Sequence, residues 1–314
     1  MSERLVVALG GNALVRGGDE SLAAQRATLE DALGGVTELV AQGAEVLLTH
    51  GNGPQVGHAL LRAERARGEA YDLPLEVCVA QSQGEIGLLI ANTLEALLAR
   101  RGVARGVAAL ITRVVVDEHD PHMQAPSKPI GPYYDEARAR GLRAGGWTIE
   151  DDAGRGFRRR VPSPLPVRVV EAQPIRALFD AGSTILVAGG GGGVPVCECE
   201  SGKELRGVAA VIDKDHTAAL LADLIGATVL LFLTSVPFAS LDHGTARARP
   251  IRQASVGEVE QALADGHFAP GSMGPKIEAA IRFVRGAPAR RAIIAEPAAT
   301  LEALAGRAGT LITR

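Results

Sequence analysis

The sequence predicts an α/β protein built on a mainly parallel central sheet with helices on both faces. Three observations predict it. Short, continuous apolar runs alternate with amphipathic segments along all 314 residues, several of those runs break directly into glycine turns, and no repeat of 20 to 50 residues competes with the pattern. With 46% hydrophobic and 22% charged residues, a chain this long hides roughly 75% of the surface its unfolded form exposes. Such a core needs neither disulfides nor metal.

The elements follow in order. Leu5 to Leu9 is a buried strand that ends at Gly10-Gly11-Asn12. Between Leu22 and Gln42 the positions Leu29, Leu33, Val36, Leu39 and Val40 recur every three or four residues, an amphipathic helix that Gly43 stops. Glu45 to Thr49 is the next strand and His50-Gly51-Asn52-Gly53-Pro54 the next turn, with Pro54 suited to the first turn of a helix. Val77 to Arg101 reads as helix, then Val107 to Leu110 and Val114 to Val116 as strand. Between Asp117 and Arg168 lie seven of the 17 prolines, at 121, 126, 129, 132, 162, 164 and 166. That stretch is too long for a plain loop and too proline-rich for a long helix or central strand, so residues 117–168 read as an inserted subdomain or lid. Alternation resumes with a helix at Pro174 to Ala181, a strand at Thr184 to Val187 and five glycines, Gly189 to Gly193. A helix at Ile212 to Ala222 and a strand at Thr228 to Leu233 follow. Ser255 and Glu258 form a capping box for a helix ending before Gly266. Helix Pro275 to Val284, strand Arg291 to Ile294, helix Pro297 to Leu304 and strand Thr310 to Ile312 complete the alternation.

Composition excludes several classes of function. The 33 basic and 36 acidic residues leave a net charge of −3, so no overall positive field gathers a nucleic acid. The most apolar stretch, Ala227 to Leu233, falls far short of the ~20 residues of a membrane span. Met1-Ser2-Glu3-Arg4-Leu5 leads straight into a strand, which predicts no cleaved signal and a cytoplasmic location. The three cysteines, Cys78, Cys197 and Cys199, support neither a zinc site nor a disulfide framework. No metal ligands are expected, and Cys78 reads as a small core residue.

Lysine usage is more informative. Only Lys128, Lys203, Lys214 and Lys276 are lysine; the other 29 basic residues are arginine. A compact ammonium serves where a broad guanidinium does not fit. Lys214, in Ile212-Asp213-Lys214-Asp215, and Lys276, in Gly271-Ser272-Met273-Gly274-Pro275-Lys276, each sit where a loop meets a helix. Three glycine turns follow predicted strands, at Gly10-Gly11-Asn12, Gly51-Asn52-Gly53 and Gly189 to Gly193, and such turns let backbone N–H groups approach a phosphate. Neither the P-loop nor the dinucleotide glycine pattern is present. Glycine turns and placed ammonium groups together point to phosphoryl transfer, in which charge on the equatorial oxygens must be neutralised. Other charged residues read as solvated: Lys203 in a turn, His119 and His122 beside a proline, and Arg155, Arg158, Arg159 and Arg160 opposite Glu150, Asp151 and Asp152 on the lid surface. His50 and His267 lie within motifs, where a structural hydrogen-bonding role competes with contact to ligand.

At these segments the chain resembles the carbamate kinases, a branch of the amino-acid kinase family. Val7-Ala8-Leu9-Gly10-Gly11-Asn12-Ala13-Leu14 and Thr49-His50-Gly51-Asn52-Gly53-Pro54-Gln55-Val56-Gly57 match the opening motifs. Ala210-Val211-Ile212-Asp213-Lys214-Asp215 and Gly266-His267-Phe268-Ala269-Pro270-Gly271-Ser272-Met273 match later ones. The lid pieces Lys128-Pro129-Ile130-Gly131-Pro132, Glu150 to Gly156 and Val161-Pro162-Ser163-Pro164 select the carbamate kinases within the family.

The resemblance implies a three-layer αβα sandwich, the amino-acid kinase fold, as one domain of residues 1–314 with the lid inserted at 117–168. Residues 1–210 would hold carbamate and phosphate, and 211–314 the nucleotide. It implies a homodimer and reversible phosphoryl transfer between ATP and carbamate, giving ADP and carbamoyl phosphate, used to make ATP. ATP or ADP is then the co-substrate, with Mg2+ on its phosphates. By motif, Lys214 and Lys276 neutralise the moving phosphoryl group, Asp215 holds their ammonium groups, and Lys128 reaches in from the lid. Gly10, Gly11, Asn12, Gly51, Asn52, Gly53, Gly190 and Gly191 surround phosphate and the small acceptor. Thr234, Ser235, Val236, Phe238, His243, Met273 and Gly274 line the nucleotide. Where the family commonly has Thr-Asp-Val-Asp-Tyr, this chain has Thr234-Ser235-Val236-Pro237-Phe238, and His243 stands for a later tyrosine. Two other readings are a family phosphotransferase acting on an amino-acid carboxylate, and a nucleotide-binding relative without turnover.

Overall fold

The computed structural model describes residues 3–11, 21–152, 154–199, 204–269 and 271–314. Asn12 and Lys203, both singled out above, lie outside the described residues. An eight-stranded sheet forms the centre, in the order Gln253–Ser255, Thr310–Thr313, Arg291–Ala295, Val229–Leu233, Arg4–Leu9, Glu45–His50, Thr184–Val187 and Gly106–Ala109. Its pairs are parallel except between Thr310–Thr313 and Arg291–Ala295.

Strand pleating divides the core in two. Val6, Ala8, Leu47, Leu186, Leu230, Phe232, Ala292 and Ile294 pack on one side with Ala218, Leu221, Ile277 and Phe283 from the helices Lys214–Ile225 and Met273–Arg285. Leu5, Val7, Leu9, Leu48, Ile185, Leu231 and Ile293 pack on the other with Leu29, Leu33, Ile86, Ile90 and Leu94 from Leu22–Ala41 and Leu75–Arg100. The central strands are buried on both faces, which is why they read as unbroken apolar runs. The result is a three-layer αβα sandwich.

Element ends moved for local reasons. The helix expected from Ile212 begins at Lys214, because the Asp213 side chain caps it by accepting from the Asp215 N–H. The Ser255–Glu258 capping box forms as expected and starts Val256–Ala264. Expected helix Pro297 to Leu304 divides into a 3-10 turn, Pro297–Ala299, and a short helix, Thr300–Leu304.

The proline-rich segment builds its own structure. Lys128–Tyr134, Phe157–Val161 and Ile149–Asp151 form a three-stranded antiparallel sheet, with the helix Glu136–Ala144 between strands and Asp135 as its cap. Pro166–Val169 instead edges a second, four-stranded sheet with Arg113–Val116, Val194–Glu198 and Leu205–Gly207, a position that tolerates a missing N–H. The small sheet rests on the helix Gly53–Arg65 through a glycine contact: a Cβ at Gly57 would lie 2.0 Å from both N and Cα of Gly131.

Candidate active site

Three adjacent parallel strands, Arg4–Leu9, Glu45–His50 and Thr184–Val187, deliver the three glycine turns to one edge of the sheet. Gly10 N–H donates to Leu233 O (2.8 Å) and Gly51 N–H to Leu9 O (3.0 Å), so each turn is pinned to the end of a neighbouring strand. The turns come into van der Waals contact at Gly51, and at Gly190 and Gly191 they approach so closely that a side chain is excluded. A Cβ at Gly51 would lie 3.4 Å from Gly11 N and 3.6 Å from Lys214 Cδ, and one at Gly190 would lie 2.3 Å from His50 Nε2. At Gly191, where φ is +62°, it would meet Asn52 Nδ2 at 2.1 Å. Buried side chains hold the five-glycine run by its carbonyls: Thr49 Oγ1 donates to Gly189 O (2.9 Å), Gln83 Nε2 to Gly190 O (2.9 Å) and Thr217 Oγ1 to Gly192 O (2.7 Å). Asn52, buried as well, gives its Nδ2 to Ser82 Oγ at 2.8 Å.

The lysines singled out in the sequence converge over these turns. Lys214 is the first residue of its helix and Lys276 lies in the first turn of Met273–Arg285; both are buried. Asp215 joins them, with Lys214 Nζ 2.7 Å from Oδ1 and Lys276 Nζ 3.0 Å from Oδ2. Lys276 Nζ also donates to Ser272 O at 3.2 Å. From the lid, the Lys128 ammonium is hydrogen-bonded to Asp213 Oδ2. Three ammonium groups therefore face two carboxylates, leaving one positive charge uncompensated where the glycine turns meet.

Their electrostatics are mutual. Burial works to raise the Asp213 carboxyl, but Lys128, followed by Lys214, His216 and Lys276, overrides it and holds the group well below the usual carboxylate range. Burial depresses the Lys214 amine, and Asp215 offsets this only in part because Lys276 repels it. Burial also acts against the Lys276 cation, yet Asp215 and then Asp213 outweigh it, so Lys276 is raised above the ordinary lysine value. Carboxylates on both sides keep Lys276 charged.

His50 is buried, and burial first, with Lys214 assisting, pushes its pKa down to about 4 from 6.5 against the opposing bond to Gly51. In its neutral form Nδ1–H donates to Gly51 O, 3.0 Å away. Below pH 6.5 the unfolded chain binds a proton at this residue and the folded chain does not until about pH 4, so stability falls as pH drops through that window. The expected loss is about 3 kcal/mol from this group. Thermal melts between pH 7 and 4 should show a shallower decline for His50→Gln than for the unmodified chain; parallel declines would contradict the assignment.

The residues expected at the nucleotide lie along one flank. Thr234 follows the strand Val229–Leu233, its N–H donating to Ala295 O at 2.9 Å, and its Cα is 3.6 Å from where a Cβ of Gly10 would stand. Ser235 is exposed, while Val236 and Phe238 are half-buried, with the Arg252 guanidinium 4.8 Å from the Phe238 ring. His243 is exposed in the turn of a hairpin formed by Ala239–Leu241 and Arg249–Ile251. Next to it, Asp242 accepts from His267 Nδ1 (2.8 Å), tying that hairpin to the loop that leads into Met273 and Gly274, the first residues of the Lys276 helix.

Two residues at the site escaped the sequence reading. Asp213 caps its helix locally, but its pairing with Lys128 depends on where the segment bearing Lys128 lies. Arg158 departs from the expected charged lid surface, being only 9% exposed. Its Nε donates to Gly131 O (3.0 Å), and Nη2 is 3.7 Å from the Cβ position of Gly53. Its neighbours are engaged too: Arg159 pairs with Glu64 at 2.6 Å over the Trp147 ring, and Arg160 bonds Ser127 O and Asp151 O. Only Arg155, with a 62% exposed side chain, matches a solvated lid surface. His119 and His122 are exposed as expected, and Cys78 is fully buried.

The amino acid kinase family model matches residues 3–295. A carbamate kinase of Pyrococcus horikoshii is 46% identical over 321 aligned residues, covering 100% of both chains. Among solved structures, carbamate kinase from Giardia lamblia bound to citric acid superposes with a TM-score of 0.92 at 35% identity, over 99% of this chain and 98% of that one. The same enzyme bound to AMP-PNP gives a TM-score of 0.89 at 35% identity, over 99% and 98% of the two chains.

Proposed function

Because the chain belongs to the carbamate kinases of the amino acid kinase family, we propose that it transfers a phosphoryl group between ATP and carbamate, running towards ATP from carbamoyl phosphate and ADP. The observation that carries this reading is the meeting of Lys214, Lys276 and Lys128 around Asp213 and Asp215 at the mouth of the glycine turns. Carbamate is already an anionic oxygen nucleophile, so the site needs no general base. What it needs is positioning of two mutually repelling anions and cancellation of their charge. Lys214 and Lys276, fixed by one carboxylate, supply preorganised cations that require no rearrangement as charge moves onto the equatorial oxygens. Gly10, Gly11, Gly51, Asn52, Gly53, Gly190 and Gly191 surround the phosphate and the acceptor. Asn12 is assigned to the same set by motif alone. On substrate binding Lys128 exchanges Asp213 for the substrate anion, which links lid closure to exclusion of water.

Thr234, Ser235, Val236, Phe238, His243, Met273 and Gly274 form the nucleotide flank of this proposal. Magnesium fits as a passenger of the nucleotide rather than as a resident ion. Asp213 and Asp215 are committed to ammonium groups, and among the described residues no three His, Cys, Asp or Glu side chains could hold a metal. The ion would arrive with the nucleotide and would supply neutralisation of its phosphate charge. A homodimer and a cytoplasmic setting complete the proposal; among the described residues no helix is long and apolar enough to cross a membrane.

The test is ATP formation from ADP, carbamoyl phosphate and magnesium by the purified chain, with an authentic carbamate kinase alongside. Failure under conditions where that enzyme turns over would overturn the proposal. Calorimetric binding of ADP without turnover would indicate the non-catalytic relative instead.

A further inference from the structure

We propose that Arg158 is a second lid-borne ligand of the substrate anion, holding an oxygen of the acceptor end against the first turn of the helix Gly53–Arg65. This rests on the phosphoryl-transfer reading above.

The guanidinium is nearly buried and only partly used. Nε is tethered to Gly131 O, and Nη1 makes a long contact, 3.4 Å, to Asp152 Oδ2. Asp152 is shared, since Arg155 (3.2 Å) and Arg160 (3.7 Å) converge on it too. One carboxylate against three guanidinium groups leaves excess positive charge, which Glu150 relieves only at Arg160. Among the described residues none accepts a hydrogen bond from Nη2, the nitrogen beside Gly53. The Tyr133 ring, 5.0 Å from the guanidinium carbon, supports its face.

Opposite that nitrogen lies a helix end without a side-chain cap. Asn52 occupies the cap position of Gly53–Arg65 but its side chain makes no cap bond, being turned to donate from Nδ2 to Ser82 Oγ. The first-turn N–H groups thus lack a capping side chain, and the helix dipole adds partial positive charge there. An anion between Gly53 and Nη2 satisfies both. Glycine at position 53 keeps the approach open, with Pro129 O 3.6 Å from where a Cβ would stand.

Geometry also says which end of the substrate this is. Lys214 overlies Gly51, on the side of the phosphoryl-transfer lysines, whereas Arg158 overlies Gly53, two residues further along the same turn. The acceptor's oxygen, away from the nucleotide, falls to Arg158. Arginine suits the position because one nitrogen can be anchored to Gly131 while another reaches outward, which a lysine cannot do.

The experiment measures ATP formation by the full chain as Arg158→Gln, Arg158→Ala and Arg155→Gln. We expect Arg158→Gln to raise the carbamoyl phosphate KM about 10- to 100-fold, the range for a lost charge-assisted hydrogen bond, while the ADP KM stays within about twofold and Arg155→Gln behaves as the unmodified chain. Millimolar guanidinium should restore part of the Arg158→Ala loss, which a purely structural role would not allow. An unchanged carbamoyl phosphate KM, or equal rises in both KM values without rescue, would overturn the inference. If the unmodified chain forms no ATP, the parent reading fails by itself, and calorimetric titration with bicarbonate, a stand-in for the acceptor's anionic end, decides this one: binding weakened by Arg158→Gln but not by Arg155→Gln upholds it, and any other pattern refutes it.

Discussion

Lys214→Met should lower kcat about 1,000-fold while the chain stays folded. Removing one preorganised donor from a water-poor site costs about 100- to 1,000-fold, and Lys214 sits at the upper end because it combines contact with the glycine turn and a share of Asp215. The fold survives because Asp215 retains Lys276, Asp213 retains Lys128, and methionine fills the volume of the buried stem. The readouts are steady-state ATP formation and a thermal melt. A rate within tenfold of the unmodified chain would remove Lys214 from the chemistry. Loss of the cooperative melt would mean that the ion cluster is chiefly structural, in which case Lys214→Arg, keeping the charge, should restore folding.

Gly57→Ala should destabilise the protein and weaken carbamoyl phosphate binding, although alanine normally favours a helix interior by about 0.5–1 kcal/mol. The sign reverses because the new methyl would stand 2.0 Å from the Gly131 backbone, which is not a flexible side-chain tip that can turn aside. The lid strand must lift, and overpacking of this kind costs about 1–3 kcal/mol. Lys128 belongs to the same strand and Arg158 is anchored to Gly131, so both cations move with it. Expected are a lower Tm and a carbamoyl phosphate KM raised about tenfold or more, by loss of a charge-assisted contact, with little change for ADP. A higher Tm with unaltered kinetics would show that this packing does not govern the lid.

How much was legible beforehand varied with the range of the forces involved. Buried strands announce themselves because both faces must be apolar, and Ser255 with Glu258 marks a helix start because capping is local. Lys214 and Lys276 were legible for the same reason, each standing at a helix entrance beside glycine or aspartate. Arg158 was not. Its neighbours in sequence are charged, as on a solvated surface, and only the fold of the lid onto Gly53–Arg65 removes it from water. The helix Glu136–Ala144 was also hidden, since it buries only Ala139 and so shows no apolar periodicity. The flank around Thr234 to Phe238 gives the weakest sequence signal, because its residues differ from those the family commonly carries there.

The five-glycine run also constrains how this chain can diverge. Gly190 is stopped by an imidazole, Gly191 by a carboxamide and Gly192 by the Ile212 carbonyl, so neighbouring codons answer to unrelated walls and no single compensating change frees them together. In a saturation library these codons should remain invariant, while length changes and new side chains accumulate in the exposed hairpin around His243. On the site assignments proposed above, descendants of this sequence would revise which base they prefer long before they could alter where the phosphate rests.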